Sequence, residues 1–343
     1  MREADAREVR AREVKIKNSR AASSAAVRPG SSELPRVAVI GAGRLGSALA
    51  LALNGRGYRV VALVARRVAH ARRAARFLSP RPLALAATQL DSLPDTVDLF
   101  IITTPDDQIT QVAARLAAVS AARGAQPARR RRQRIALHAS GALPSNALAP
   151  LGAHGFSLGS LHPLVSISDP AGGARNLQGA FYCLEGEARA LTAARKIVRA
   201  LGGQSFSVAA RDKSLYHAAA VIASGHTVAL FSLAAELLVR CGLGEARARR
   251  VLLPLLASTL DNLKSRAPEE ALTGTFARAD LFTVRKHLAA LQGAAGVRDA
   301  TAVYALLGER SLQLAARRRK FDSSVAEEIV LLLREAFGAS RNA

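Results

Sequence analysis

The chain has 343 residues, half of them apolar, 4% aromatic and none Trp, with a formal net charge of +23. That length allows two domains, each with its own core, and the scarcity of aromatics argues against surfaces that stack nucleic-acid bases. Two cysteines, Cys183 and Cys241, form no Cys-x-x-Cys pair, which argues against a disulfide scaffold or a cysteine metal site and points to a reducing compartment. The positive charge admits a polyanion partner. The arginines are spread over the whole chain, however, so nucleic acid is not the expected partner.

Residues 1–35 mix charges with Ala, Ser, Pro and Gly and read as a disordered or loosely helical extension. They hold no apolar segment of the kind a secretory signal needs, so the expected location is cytoplasmic. From Val37 onward the pattern alternates between strand and helix. Val37–Ile40 is a short β-branched strand, followed by Gly41, Gly43 and Gly46 as G-x-G-x-x-G and then by Leu45, Ala48, Leu51 and Leu53 at helical spacing. In such a strand–turn–helix the first glycine allows the bend, the second admits a pyrophosphate and the third lets helix pack on strand. The phosphates lie at the helix N-terminus, beside unpaired N–H groups. A plain glycine turn is the alternative.

Further strands are expected at 58–64, 83–87, 97–103, 135–138, 156–161, 180–184 and 205–208, and helices at 69–78, from 106 to about 120, and at 187–201. This alternation predicts a doubly wound parallel sheet with right-handed crossovers. The segment 121–134, with Arg129 to Arg132, reads as a solvated basic loop or, less simply, a nucleic-acid patch. After Arg211 no strand is evident. One long helix is expected from Asp212 to Val239, then helices at 245–265, 281–291, 302–317 and 324–337. The expected domains are therefore an extension (1–35), an α/β domain (36–210) and an all-α domain (211–343). The most apolar stretch, 218–238, is interrupted by Ser224, Gly225, His226 and Thr227, which suits a helix buried between domains or subunits better than a membrane span.

At the end of the second strand, where an NAD site usually carries a carboxylate for the ribose hydroxyls, this chain has Ala65-Arg66-Arg67. Arginine suits a 2′-phosphate, which favours NADP over NAD. Ligands of such sheets bind outside the C-terminal strand ends. That makes Thr103, Thr104, Pro105 and Asp106 candidates for the cofactor pocket, with Asp106 equally a helix N-cap. Ser140 with the Gly141 amide is a candidate for a substrate carboxylate. Lys213 and His217, four residues apart on one helix face with Ser224 further along the stripe, are candidate proton donors for reduction of a carbonyl or imine. No histidine spacing suits a metal ion, so none is expected.

Taken together, Gly41-Ala42-Gly43-Arg44-Leu45-Gly46, Thr104-Pro105-Asp106-Asp107, His138-Ala139-Ser140-Gly141-Ala142-Leu143, Leu161-His162-Pro163-Leu164, Asp212 to Ala220, and Leu272-Thr273-Gly274 with Arg278 and Asp280 carry a resemblance. The chain resembles bacterial Rossmann-like NAD(P)-binding oxidoreductases whose helical C-terminal half is a domain of unknown function. These are relatives of ketopantoate reductase, pyrroline-5-carboxylate reductase and 6-phosphogluconate dehydrogenase-like proteins. The resemblance implies a helical domain similar to the C-terminal domain of 6-phosphogluconate dehydrogenase and a homodimer built on it. It also implies cofactor contacts from Arg44 and Leu45, substrate contacts from His162, and Lys213 as proton donor. His217 stands where dehydrogenase relatives carry Asn. Gly225-His226 and Thr275 depart from the pattern, which leaves a non-catalytic NADP-binding regulatory or scaffold protein as the alternative.

Overall fold

The computed structural model describes residues 34–123, 134–293, 297, 299–318 and 323–342. The basic run Arg129 to Arg132 and the extension up to residue 33 lie outside them. The chain divides into two units between Tyr216 and His217.

The first unit is an eight-stranded sheet of order β3-β2-β1-β4-β5-β6-β7-β8. Its strands are β1 (Val37–Ile40), β2 (Val60–Ala65), β3 (Leu83–Ala86), β4 (Leu99–Ile102), β5 (Ile135–His138), β6 (Ser157–Pro163), β7 (Phe181–Gly186) and β8 (Gln204–Phe206). Its helices are α1 (Arg44–Asn54), α2 (Val68–Ala75), α3 (Asp106–Ala122), α4 (Pro170–Asn176) and α5 (Ala188–Ala200). The central strands β1 and β4 are fully buried on both faces and read as unbroken apolar runs, as a covered parallel sheet requires. Val39, Ile101, Leu137 and Leu161 pack against α1 and α5 on one side, while Ile40, Ile102, Ala136 and Leu158 pack against α3 on the other.

The strand order reverses between β1 and β4, and β1 to β6 run parallel. The expectation of an all-parallel sheet fails at β7, which pairs antiparallel with β6, with β8 parallel to β7. After β6 the chain does not cross over. It forms α4, whose Gly173 lets it lie against Ala48 of α1, and then re-enters the sheet beside β6 from the same end.

The second unit is helical. The helix α6 (Lys213–Val221) begins in the first unit and leads to α7 (Thr227–Arg240), α8 (Glu245–Ser265), α9 (Leu281–Gln292), α10 (Ala300–Ala315) and α11 (Ser323–Asn342). The single helix expected from Asp212 to Val239 is broken by a π turn, Ile222–His226. Gly225, a poor helix former, lies inside that turn. Val284, Leu288, Ala305, Leu312, Ile329 and Leu333 make the core of α9, α10 and α11.

Candidate functional site

The G-x-G-x-x-G turn lies beside the point where the sheet reverses, and its glycines are glycine for different reasons. Gly41 has φ +111°, and a Cβ there would lie 2.6 Å from the Thr103 carbonyl carbon. A Cβ on Gly46 would meet the Gly41 oxygen at 2.2 Å and Thr103 Oγ1 at 2.4 Å. Both are demanded by close packing of α1 on β1 and β4. Gly43 is not: its φ is −81°, open to any residue, and the nearest atom to an added Cβ is 3.9 Å away. It is exposed and caps α1 with no side chain. A cradle at a bare helix N-terminus fits an anion such as a dinucleotide pyrophosphate. Beside it Arg44 is exposed, while the Leu45 side chain packs into the core.

Thr103 ties β4 to this turn, its Oγ1 donating to the Gly41 carbonyl oxygen at 2.8 Å. The Thr104 hydroxyl is buried with no hydrogen-bond partner among the described residues. Pro105, not Asp106, is the N-cap of α3; Asp106 is its first helical residue and makes no capping bond. The Asp106 carboxylate instead reaches the loop after β5. Arg66 and Arg67 follow β2 and are both exposed.

A second, buried cluster lies at the ends of β5, β6 and β7. Because side chains alternate along a strand, His138, Ser160 and His162 share the sheet face of Ala136 and Leu158, which α3 covers. Cys183 and Glu185 flank Leu184, which faces the other way. The His138 ring is fully buried. Its Nδ1 accepts from the Ser140 amide (3.2 Å), so Nε2–H donates to the Pro144 carbonyl (3.1 Å). Burial pushes its pKa down to about 4, with Lys213 adding to the depression and the Pro144 bond opposing it.

The Ser140 hydroxyl donates to Asp106 Oδ2 (2.7 Å) and accepts from the amides of Ala142 (3.1 Å) and Leu143 (3.0 Å). Glu185 fastens the far end of the same loop by accepting from the Ser145 amide (2.6 Å) and hydroxyl (2.7 Å). Lys213, the first residue of α6, is fully buried and donates to Ser160 Oγ (2.6 Å) and the Ser140 carbonyl (3.3 Å). Burial lowers its pKa, opposed by the nearby Cys183, Glu185 and Asp106.

The structure thus joins Asp106, His138, Ser140, Ser160, Glu185 and Lys213 in one network. Gly141 is buried in the Ser140 loop. His217 lies one turn beyond Lys213 on α6 and is half-buried, while Ser224 is exposed in the π turn. Two members carried no sequence signal. Ser160 and Glu185 sit in ordinary strand sequence, and only the pairing of β6 with β7 puts them opposite each other. Tyr216, three residues after Lys213 and so on the same helix face, places its hydroxyl 2.6 Å from His162 Nδ1.

Two family models match the chain, and the second begins at β7 of the first unit. Residues 20–163 match a Rossmann-like domain and residues 180–311 match a domain of unknown function, DUF2520. The chain therefore combines a Rossmann-like domain with a DUF2520 domain, the pairing its motifs resemble. No curated protein matches the sequence. Among solved structures, a Bacteroides fragilis protein described as an NADP oxidoreductase is 23% identical, with 82% of this chain and 99% of that one covered and a TM-score of 0.64. A Thermotoga maritima protein is 24% identical over 89% and 99% of the two chains, with a TM-score of 0.56. The 1-pyrroline-5-carboxylate reductase of Streptococcus pyogenes is 17% identical over 90% and 100%, with a TM-score of 0.51.

Two predictions follow from this geometry. Gly46→Ala should destabilise the protein by about 2–3 kcal/mol through overpacking, whereas Gly43→Ala should leave its urea midpoint unchanged and weaken binding of a nicotinamide dinucleotide about tenfold or more. Calorimetry beside urea denaturation separates the two effects. His138 supplies the second. The unfolded imidazole takes a proton near pH 6.5 and the folded one only near pH 4, so the unfolded state binds more protons in between. Stability should fall by about 3 kcal/mol as the pH drops through that window. His138→Gln should remove that part of the fall, measured as urea midpoints at pH 7 and pH 4.5.

Proposed function

We propose that this chain is an NADP-dependent oxidoreductase that reduces the carbonyl or imine group of a small, carboxylate-bearing metabolite. The observation that carries the reading is Gly43. Neither backbone conformation nor packing accounts for a glycine there, and a phosphate approaching the N-terminus of α1 does. The buried hydroxyl of Thr104 beside the turn supports the same ligand.

Arg66 and Arg67 stand where an NAD site would carry a carboxylate, which supports a 2′-phosphate and so NADP. The Bacteroides fragilis and Streptococcus pyogenes proteins of similar fold are described as an NADP oxidoreductase and a 1-pyrroline-5-carboxylate reductase, in keeping with this class. When bound, the reduced nicotinamide supplies a hydride. The chain's own residues do the rest. The α1 terminus holds the pyrophosphate, and Thr103 keeps the glycine turn against β4. With its hydroxyl engaged by Asp106, Ser140 shapes the loop that carries the Gly141 amide, and His162 meets the substrate. Lys213, enclosed and already bonded to Ser160 and Ser140, holds that loop in place.

The same enclosure of Lys213 favours a second reading, an NADP-binding protein without turnover. Tight NADPH binding with no oxidation across a panel of 2-oxo acids and cyclic imines would support it.

We further propose a homodimer through the helical half. On α7 and α8, Val228, Leu253 and Leu255 are exposed, as is Ile222 in the π turn. The stretch Ala210–Arg240 has the length and apolarity of a membrane span, but Ser224, Gly225 and His226 interrupt it with polar groups and a π turn. Both readings are testable. Arg66→Ala with Arg67→Ala should weaken NADPH binding about tenfold or more while leaving NADH binding unchanged. The purified protein should sediment as a dimer, and Leu253→Glu with Leu255→Glu should yield a monomer; recovery in the membrane fraction would overturn the dimer.

A further inference from the structure

Reduction of a carbonyl or imine needs a proton as well as a hydride, and the groups around β6 that could supply it differ in access. Lys213 is fully buried, and Ser160 and the Ser140 carbonyl already take two of its N–H groups. The hydroxyl of Tyr216 and the ring of His162 are only half-buried. They meet at 2.6 Å, at the short end of the hydrogen-bond range, with the rings edge to face at a centroid separation of 5.6 Å. Phe206 also packs edge to face with Tyr216, at a centroid separation of 5.8 Å.

Their place in the sheet matters as much. The last residue of β6 paired with β5 is Ser160, opposite His138. His162 therefore projects beyond the C-terminal end of β5, on the margin where open α/β sheets bind their ligands. Its register partner on β7 is Cys183.

We propose that Tyr216 is the proton donor of this site and that His162 re-protonates it. The inference rests on the reductase reading above. As hydride from the reduced nicotinamide adds to the carbonyl or imine carbon, the π pair of the C=O or C=N bond passes to the heteroatom. That atom takes the proton from Tyr216 Oη. The tyrosinate takes the proton on His162 Nδ1 as His162 Nε2 takes one from solvent; NADPH is oxidised and one proton is consumed. Burial and the neighbouring Cys183 hold the Tyr216 hydroxyl above its ordinary pKa, so the proton is in place throughout the neutral range. In this scheme Lys213 is a positioning residue, holding the start of α6 and the Ser140 loop against β6.

The test begins with NADPH oxidation by the wild-type protein on 1-pyrroline-5-carboxylate, 1-pyrroline-2-carboxylate and a set of 2-oxo acids. On whichever is turned over, Tyr216→Phe should lower kcat about 100-fold or more, the usual share of a general acid, and leave the NADPH Kd within about twofold. His162→Asn, whose amide can donate from near the Nδ1 position, should retain about tenfold more activity than His162→Leu. A readout independent of turnover is nitrogen-15 NMR of the nucleotide-free protein, where Tyr216→Phe should shift the His162 Nδ1 resonance. A Tyr216→Phe protein with kcat within threefold of wild type, or a folded Lys213→Met protein that alone loses the 100-fold, overturns the proposal and leaves the reductase reading standing. A wild type that binds NADPH and reduces nothing overturns the reductase reading, and this inference with it.

Discussion

Lys213 is a fully buried amine. In place of solvent it has the hydroxyl of Ser160 and the carbonyl of Ser140. A buried amine left without such partners would be costly, so both must be presented at the right distance when α6 packs. That requirement organises much of what surrounds it. Ser160 must face the side of β6 that α3 covers, and the Ser140 loop must be rigid enough to offer its carbonyl. Asp106 and Glu185 supply that rigidity, one at each end of the loop. His138, held neutral by burial, bonds the Ser140 amide and the Pro144 carbonyl of the same loop.

The nucleotide end of the sheet is arranged on a different principle. There the chain is kept bare. Gly41 and Gly46 are consumed by packing, but Gly43 leaves a cradle at the N-terminus of α1, and no side chain caps it. One end of the site is an open helix terminus suited to a ligand's charge, while the other is a hydrogen-bonded network around a buried lysine. Tyr216 and His162 stand at the edge of that network, shielded enough to be held and exposed enough to be reached.

Patterns that depend on near neighbours were legible in the chain. The apolar run Val37–Ile40 with its glycines, and the alternation of strand and helix up to Phe206, follow from periodicity and turn chemistry. So does α8, which runs from Glu245 to Ser265 as the spacing predicts. The π turn at Ile222–His226 was not legible, since its apolar flanks continue the helical pattern on both sides. Nor was the antiparallel β7, because a strand's direction leaves no mark on its own sequence.

The sequence by itself determined the strand–glycine turn–helix, the absence of a carboxylate after β2, and the presence of Lys213 and His217 on one helix face. These are local facts, set by residues within a turn or two of each other. Only the tertiary structure decided what those groups can do. It enclosed Lys213, gave the Ser140 hydroxyl to Asp106, and moved Asp106 from the cap of α3 into the network. It also brought Tyr216 to His162 across 54 residues. The reason is physical: a side chain's chemistry depends on its solvent exposure and its partners, and both come from strands and helices far apart in the chain.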